Sequence, residues 1–267
     1  LQLADKTLLN LSSSISVPQQ KSMTVTGEDG KLIFGGTLTF ENDSEFVLNS
    51  KDSQISGSFD FNESSLLDVQ EDVNIKSSTG RWKNSQIKVT AGKTLDLIDN
   101  HWYTQGNLSK TGGSLNLENM VWSLTNDTTY TSDTEIEIKT LLLNDNVLEL
   151  GSADSDITVS DNMTFNNSNE RFSSGLADIT FEKSVSLENG RISSTGGIVF
   201  LEKGGNQSGG VLDVTASTLK LGDDYSKSGG TLTSTENGTT LELADNLTLT
   251  SDSVLSLLDL TLNDNAL

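Results

Sequence analysis

One large apolar residue returns about every twenty positions along most of this chain: Phe40, Phe61, Trp82, Trp102, Trp122 and Leu142, then Phe181, Phe200, Leu221 and Leu241. In a parallel β-solenoid one circuit of backbone uses roughly 20 residues, and equivalent side chains stack about 4.8 Å apart, so this interval predicts a column of large inward side chains. Glycines keep the same beat: Gly190, Gly210 and Gly230 lie 20 apart, and Gly36 and Gly57 lie 21 apart. After those glycines come short alternating runs such as Gly36-Thr-Leu-Thr-Phe40, Gly57-Ser-Phe-Asp-Phe61, Gly113-Ser-Leu-Asn-Leu117 and Gly210-Val-Leu-Asp-Val214, each reading as a half-buried strand that leaves a turn.

Composition agrees with many short strands and tight turns. Pro18 is the only proline, Ser, Thr, Asn and Asp fill the gaps, and the 33% hydrophobic content suits coils that bury only a narrow inner face. The expected fold is all-β, a right-handed parallel β-helix of about 12–13 coils of about 20 residues, continuous over residues 1–267. Handedness here follows the general preference for right-handed crossovers between parallel strands.

A longer repeat overlies the short one. Thr129-Tyr-Thr-Ser-Asp133 returns as Thr248-Leu-Thr-Ser-Asp252, and Leu143-Asn-Asp-Asn146 returns as Leu262-Asn-Asp-Asn265, both displaced by 119 positions. Leu1-Gln-Leu-Ala-Asp5 resembles Leu241-Glu-Leu-Ala-Asp245, displaced by 240. The chain stops inside a motif whose earlier copy continues as Val147-Leu-Glu-Leu150, and it opens at Leu1 without a basic-then-apolar leader. These features lead us to expect a segment of a longer repetitive chain, either joined covalently to further coils or meeting other copies end to end.

The glycine-led strands, the coil length and the Asn/Ser/Thr-rich turns together resemble the right-handed parallel β-helices of bacterial surface and secreted proteins, such as autotransporter passengers and two-partner-secretion adhesins. The resemblance spans the whole chain and carries no functional residue with it. It implies an extracellular or cell-surface location.

A formal net charge of −21 and a pI near 4.2 argue against nucleic acid and anionic membranes as partners, because phosphate contacts need clustered Lys and Arg. Cysteine is absent, which excludes thiol catalysis and disulfide stapling. No run approaches the roughly 20 apolar residues that cross a bilayer as a helix.

Several clusters compete as sites. Three tryptophans spaced along a solenoid could form a track for sugar rings, but a shift of 119 carries Trp122 onto Leu241 and Trp102 onto Leu221, an exchange that belongs to packing. Within Asn100-His-Trp-Tyr-Thr-Gln105 an inward Trp102 would turn His101 and Tyr103 outward together, and this pair is the candidate glycan-binding cluster. Asn144-Asp-Asn146, Asp154-Ser-Asp156, Asp223-Asp224 and Asn263-Asp-Asn265 offer oxygen ligands, yet they are scattered and lack the glycine-aspartate nonapeptide of calcium β-rolls. Turn capping explains them better, so no cofactor and no dedicated metal site is expected, only weak, nonspecific calcium binding.

Catalysis is not expected either. Polysaccharide-degrading β-helices use aspartates with basic helpers, and here arginine occurs only at Arg81, Arg171 and Arg191 and histidine only at His101. The Thr-x-Thr motifs, among them Thr24-Val-Thr26 and Thr37-Leu-Thr39, fall at irregular intervals and form no ice-binding file. Sequons such as Asn107-Leu-Ser109 and Asn237-Gly-Thr239 occur near the frequency that composition supplies. The expected function is a non-enzymatic structural or adhesive segment of a long extracellular or cell-surface protein, with self-association, glycans or cell-surface receptors as partners. The alternative is a carbohydrate-binding or polysaccharide-degrading β-helix that uses a lateral groove.

Overall fold

The computed structural model describes residues 6–76, 78–233, 239–243, 247–249, 254–256 and 259–261. The sequence repeats at Leu1–Asp5 and at 262–265, the Asn263-Asp-Asn265 cluster and the start of the sequon at Asn237 lie outside the described residues. The chain is a parallel β-solenoid of about 11 turns, about 21 residues apart, with no helix among the described residues. Two compact units divide it, Leu1–Ile138 and Lys139–Leu267.

Circuit length varies along the chain. In the second unit Arg171, Arg191, Val211 and Thr231 stand in register, each 20 residues beyond the last. Elsewhere a turn takes extra residues: Leu8 pairs with Lys31, Thr79 with His101 and Val147 with Arg171. Surface turns accept such insertions at small cost, because the entropy of closing a loop grows only slowly with its length.

In the second unit each circuit supplies three short strands. Strands Val147–Leu150, Arg171–Ser174, Arg191–Ser194 and Val211–Val214 stack in one sheet. Ile157–Val159, Ile179–Phe181, Ile198–Leu201 and Thr218–Leu221 form the second. Met163–Phe165, Val185–Leu187, Gly205–Gln207 and Tyr225–Lys227 form the third. Alternation does the rest: Ile157 and Val159 are buried while Thr158 between them faces outward.

The first unit is built on the same parallel register with longer strands and an aromatic core. Phe40, Phe61 and Trp82 lie on successive coils with rings nearly parallel, 4.8 Å and 4.3 Å between centroids. Each such pair contributes about 0.5–1.5 kcal/mol beyond the area it buries. Trp102 and Trp122 are also core residues, as are Leu221 and Leu241, the positions a shift of 119 predicts.

The twenty-residue series nevertheless does not trace one column. Trp82 pairs with Thr104, whereas Trp102 pairs with Gly80 and Trp122, because the circuit from Thr79 to His101 takes 22 residues and moves the register by two. Gly80 makes this step possible: a Cβ there would stand 2.7 Å from Trp82 Nε1 and 3.4 Å from Trp102 Cδ1. Two other members of the series point outward. Leu142 is 41% exposed while Leu141 and Leu143 are buried, and Phe200 is half-buried on the outer face while Val199 and Leu201 fill the core.

Lysine inside the core was not expected. Lys110 is fully buried, and its ammonium donates to the carbonyls of Gly112 and Gly113 at 2.6 and 2.7 Å and to Asp133 Oδ1 and Thr134 Oγ1, both at 2.8 Å. Lys227 repeats the device: fully buried, it donates to the carbonyls of Gly229 and Gly230, the second at 2.6 Å. Burial lowers its pKa. Gln207, paired in register with Lys227, donates to Thr231 O at 2.9 Å and accepts from the Tyr225 hydroxyl at 3.2 Å. The shared sequence is Lys/Gln-Ser/Thr-Gly-Gly, at 110, 207 and 227. Its glycines are required, since Gly112 has φ +79° and a Cβ there would lie 1.9 Å from Val89 O.

Turn chemistry supplies the remaining caps. Asp99 and Asn119 both adopt φ +54°, and the Asn119 amide donates to Asp99 at 3.1 Å. Asp156 Oδ1 accepts the Asp178 N–H, and Asp178 Oδ1 accepts the Ile198 N–H, each at 2.7 Å, so one carboxylate per coil caps the next. The Asn144-Asp-Asn146 cluster is a turn of the same kind, with φ +51° and +65° at its first two residues and the Asn146 amide donating to the carbonyls of Leu143 and Asn144.

Replacing Lys110 with Met leaves two glycine carbonyls and the Thr134 hydroxyl without their donor, and is expected to cost about 2–4 kcal/mol. The urea midpoint should fall clearly for Lys110→Met and stay in place for Lys203→Met, whose ion pair with Asp223 is half exposed on both sides. A second comparison separates the tryptophans. The Trp122 indole N–H donates to Thr104 Oγ1 at 2.7 Å, whereas the buried Trp82 Nε1 has no hydrogen-bond partner among the described residues. Trp122→Phe should therefore destabilise by about 1 kcal/mol more than Trp82→Phe, read from paired denaturation curves.

Candidate functional site

The site lies on the outer face of the first unit. Because side chains alternate along a strand, the residues between the inward Phe40, Phe61 and Trp82 face outward, and register aligns Thr39, Asp60, Arg81, Tyr103 and Ser123 on successive coils. His101, two residues before Tyr103, shares its face. Trp102 between them is 2% exposed, so the expected inward Trp and outward His and Tyr are all in place.

The side chains touch in sequence. Asp60 Oδ1 meets Arg81 Nη1 at 3.1 Å, and the Arg81 guanidinium carbon stands over the Tyr103 ring, 5.8 Å from its centroid. Tyr103 stacks on His101 with centroids 4.4 Å apart and planes 17° from parallel. His101 Nε2 lies 2.9 Å from Ser123 Oγ. Further along the same two coils, Lys83 pairs with Glu63 at 3.0 Å and Asn84 donates to the same carboxylate at 2.7 Å; both hold the Glu63 carboxyl below its ordinary pKa.

Between these groups lies a shallow, open groove lined by Asp60, Asn62, Arg81, Lys83, Tyr103 and Gln105. No described residue hydrogen-bonds the side-chain amides of Asn62 and Gln105. The arrangement offers hydrogen-bond donors and acceptors beside an aromatic ring, the equipment for holding a polar ligand. In the His101 and Ser123 pair, Ser123 is 3% exposed, and no described carboxylate faces the other imidazole nitrogen. Among the described residues no group of three or more His, Asp or Glu is placed to hold a metal ion.

His101 and Tyr103 were legible from the sequence, whereas Arg81, Asp60 and Gln105 were not singled out. Their signal was present in the spacing, since Asp60, Arg81 and Tyr103 follow each other at 21 and 22 residues, one circuit each. The other acidic clusters do not gather here: Asp223 pairs with Lys203, and Asp156 caps a backbone N–H. Comparison with family models, with curated proteins and with solved structures returns no match.

Partial burial holds the His101 pKa below its ordinary value of 6.5. The folded state then binds fewer protons than the unfolded chain between the lowered value and 6.5, so the stability this group contributes is present above 6.5 and is lost as pH falls through the folded pKa. With one histidine in the chain, a proton NMR titration reads it directly. The midpoint should lie below 6.5 and move up toward it in Tyr103→Ala, which opens the ring to water.

Proposed function

We propose that this chain is a non-enzymatic structural and adhesive solenoid segment of a long extracellular or cell-surface protein, acting in display, spacing or end-to-end assembly. The observation that carries this reading is how the outer surface is used. Arg81 with Asp60, Lys83 with Glu63, Lys88 with Asp68, Lys93 with Glu71, Arg191 with Asp213, Lys203 with Asp223 and Lys220 with Glu242 are all ion pairs between one coil and the next. Asn116 to Asp96 and Ser193 to Ser173 add hydrogen bonds in the same direction. Such a surface ties consecutive coils together, which suits a part that bears load or sets distance.

The acidic balance and the likeness to the β-helices of bacterial surface proteins support the extracellular placement. Weak calcium binding by the acidic surface belongs to the same reading, with ion and charge interacting diffusely. The groove beside Tyr103 favours carbohydrate binding as a second reading, and it lends the adhesive role a place to act.

Two measurements test the proposal. Microspheres coated with the chain should be retained under flow on at least one of a panel of animal, plant and bacterial cell surfaces, with uncoated spheres washed away. The chain incubated with neutral and acidic polysaccharides should release no reducing ends and no unsaturated products. Turnover of any polysaccharide would overturn the non-enzymatic assignment, and failure to adhere to every surface would remove the adhesive part of it.

A further inference from the structure

We propose that the groove beside Tyr103 binds an uncharged oligosaccharide lying across successive coils of the first unit. This inference rests on the adhesive reading above and names the ligand class that its surface would take.

The groove's own chemistry sets the class. Its two cations are already matched by acids, Arg81 by Asp60 and Lys83 by Glu63, so no local positive excess waits for an anion. A chain of net charge −21 adds a field that repels sulfated or uronate-rich glycans. What the groove leaves unspent is hydrogen-bonding capacity without net charge. The Asp60 contact uses one of the five guanidinium N–H donors of Arg81, and the amides of Asn62 and Gln105 are unpartnered among the described residues. A ligand rich in hydroxyls supplies both donors and acceptors to such a set, as an apolar peptide would not.

The aromatic component has the matching form. Sugar rings present C–H faces as well as hydroxyls, and Tyr103 offers an apolar body with a polar tip, held in orientation by His101 and Arg81. Packing that fixes the ring before the ligand arrives reduces the ordering cost of binding. Asp60, Arg81 and Tyr103 stand on three successive coils, about 4.8 Å apart, so a saccharide running across the strands meets each in turn.

The test is titration calorimetry of the 267-residue chain with neutral oligosaccharides of glucose, xylose, mannose and N-acetylglucosamine, and with oligogalacturonate and heparin fragments, each at low and high salt. At least one neutral series should bind with an affinity that salt leaves unchanged, and Tyr103→Ala and Arg81→Ala should each weaken it at least roughly tenfold while each variant keeps the cooperative melting transition of a folded solenoid. Binding confined to the acidic saccharides and abolished by salt would overturn the proposal. So would neutral binding untouched by both substitutions, or no saccharide binding at all. In that last case retention of coated microspheres on a cell surface would still stand for the adhesive reading, with a different surface as its basis.

Discussion

Among the described residues the strands of each coil hydrogen-bond to those of the coils beside it, and the placement of side chains follows from that ladder. A residue's direction is fixed by its place in the alternation, and its neighbours are fixed by how many residues the intervening circuit takes. A circuit of 20 residues keeps Arg171, Arg191 and Val211 in one file. A circuit of 22 places Tyr103 beside Arg81 and Trp102 beside Gly80. Turn length, a property of the surface, thereby decides which side chains meet in the core.

The architecture was legible because a solenoid writes its period into the sequence many times over. Glycine-led alternating runs identified strands, and the exchange of Trp for Leu across 119 positions identified buried sites. What single residues do was less legible wherever two adjacent positions carry large side chains. Phe200 lies between Val199 and Leu201, and Leu142 between Leu141 and Leu143, so size alone does not tell which of the three faces inward. Of the outer-face cluster only Tyr103, which lines the groove, and His101, which stacks on it, were singled out in the sequence, because they lie two residues apart on one strand. Asp60 and Arg81 join them through register, which requires the length of each circuit to be known first.

Electrostatics on the outer face and in the core play different parts. The exposed pairs between coils, such as Lys203 with Asp223, are each worth little, about 0–1 kcal/mol, because water and salt screen them. Their common direction matters more than their sum, since every one favours the native neighbour over a slipped one. The remaining acidic surplus gives the solvated faces a common sign, so they repel other anionic surfaces.

The buried lysines argue the same point from inside. An apolar residue at 110 or 227 would satisfy the hydrophobic core equally well in several registers, because one aliphatic neighbour resembles another. An ammonium is satisfied only where carbonyls converge, and in the Lys-Ser/Thr-Gly-Gly turn they converge because two glycines bring the chain back over its own strand. Lys110 reaches further, to Asp133 and Thr134 on the next circuit, so a slip of that circuit by two residues would carry its partners away and leave a charge in the core. The cost of an unpaired buried charge, several kcal/mol, far exceeds what any single aliphatic contact contributes. In a fold whose repeated coils invite mispairing, a lysine inside the core marks where a particular coil must sit.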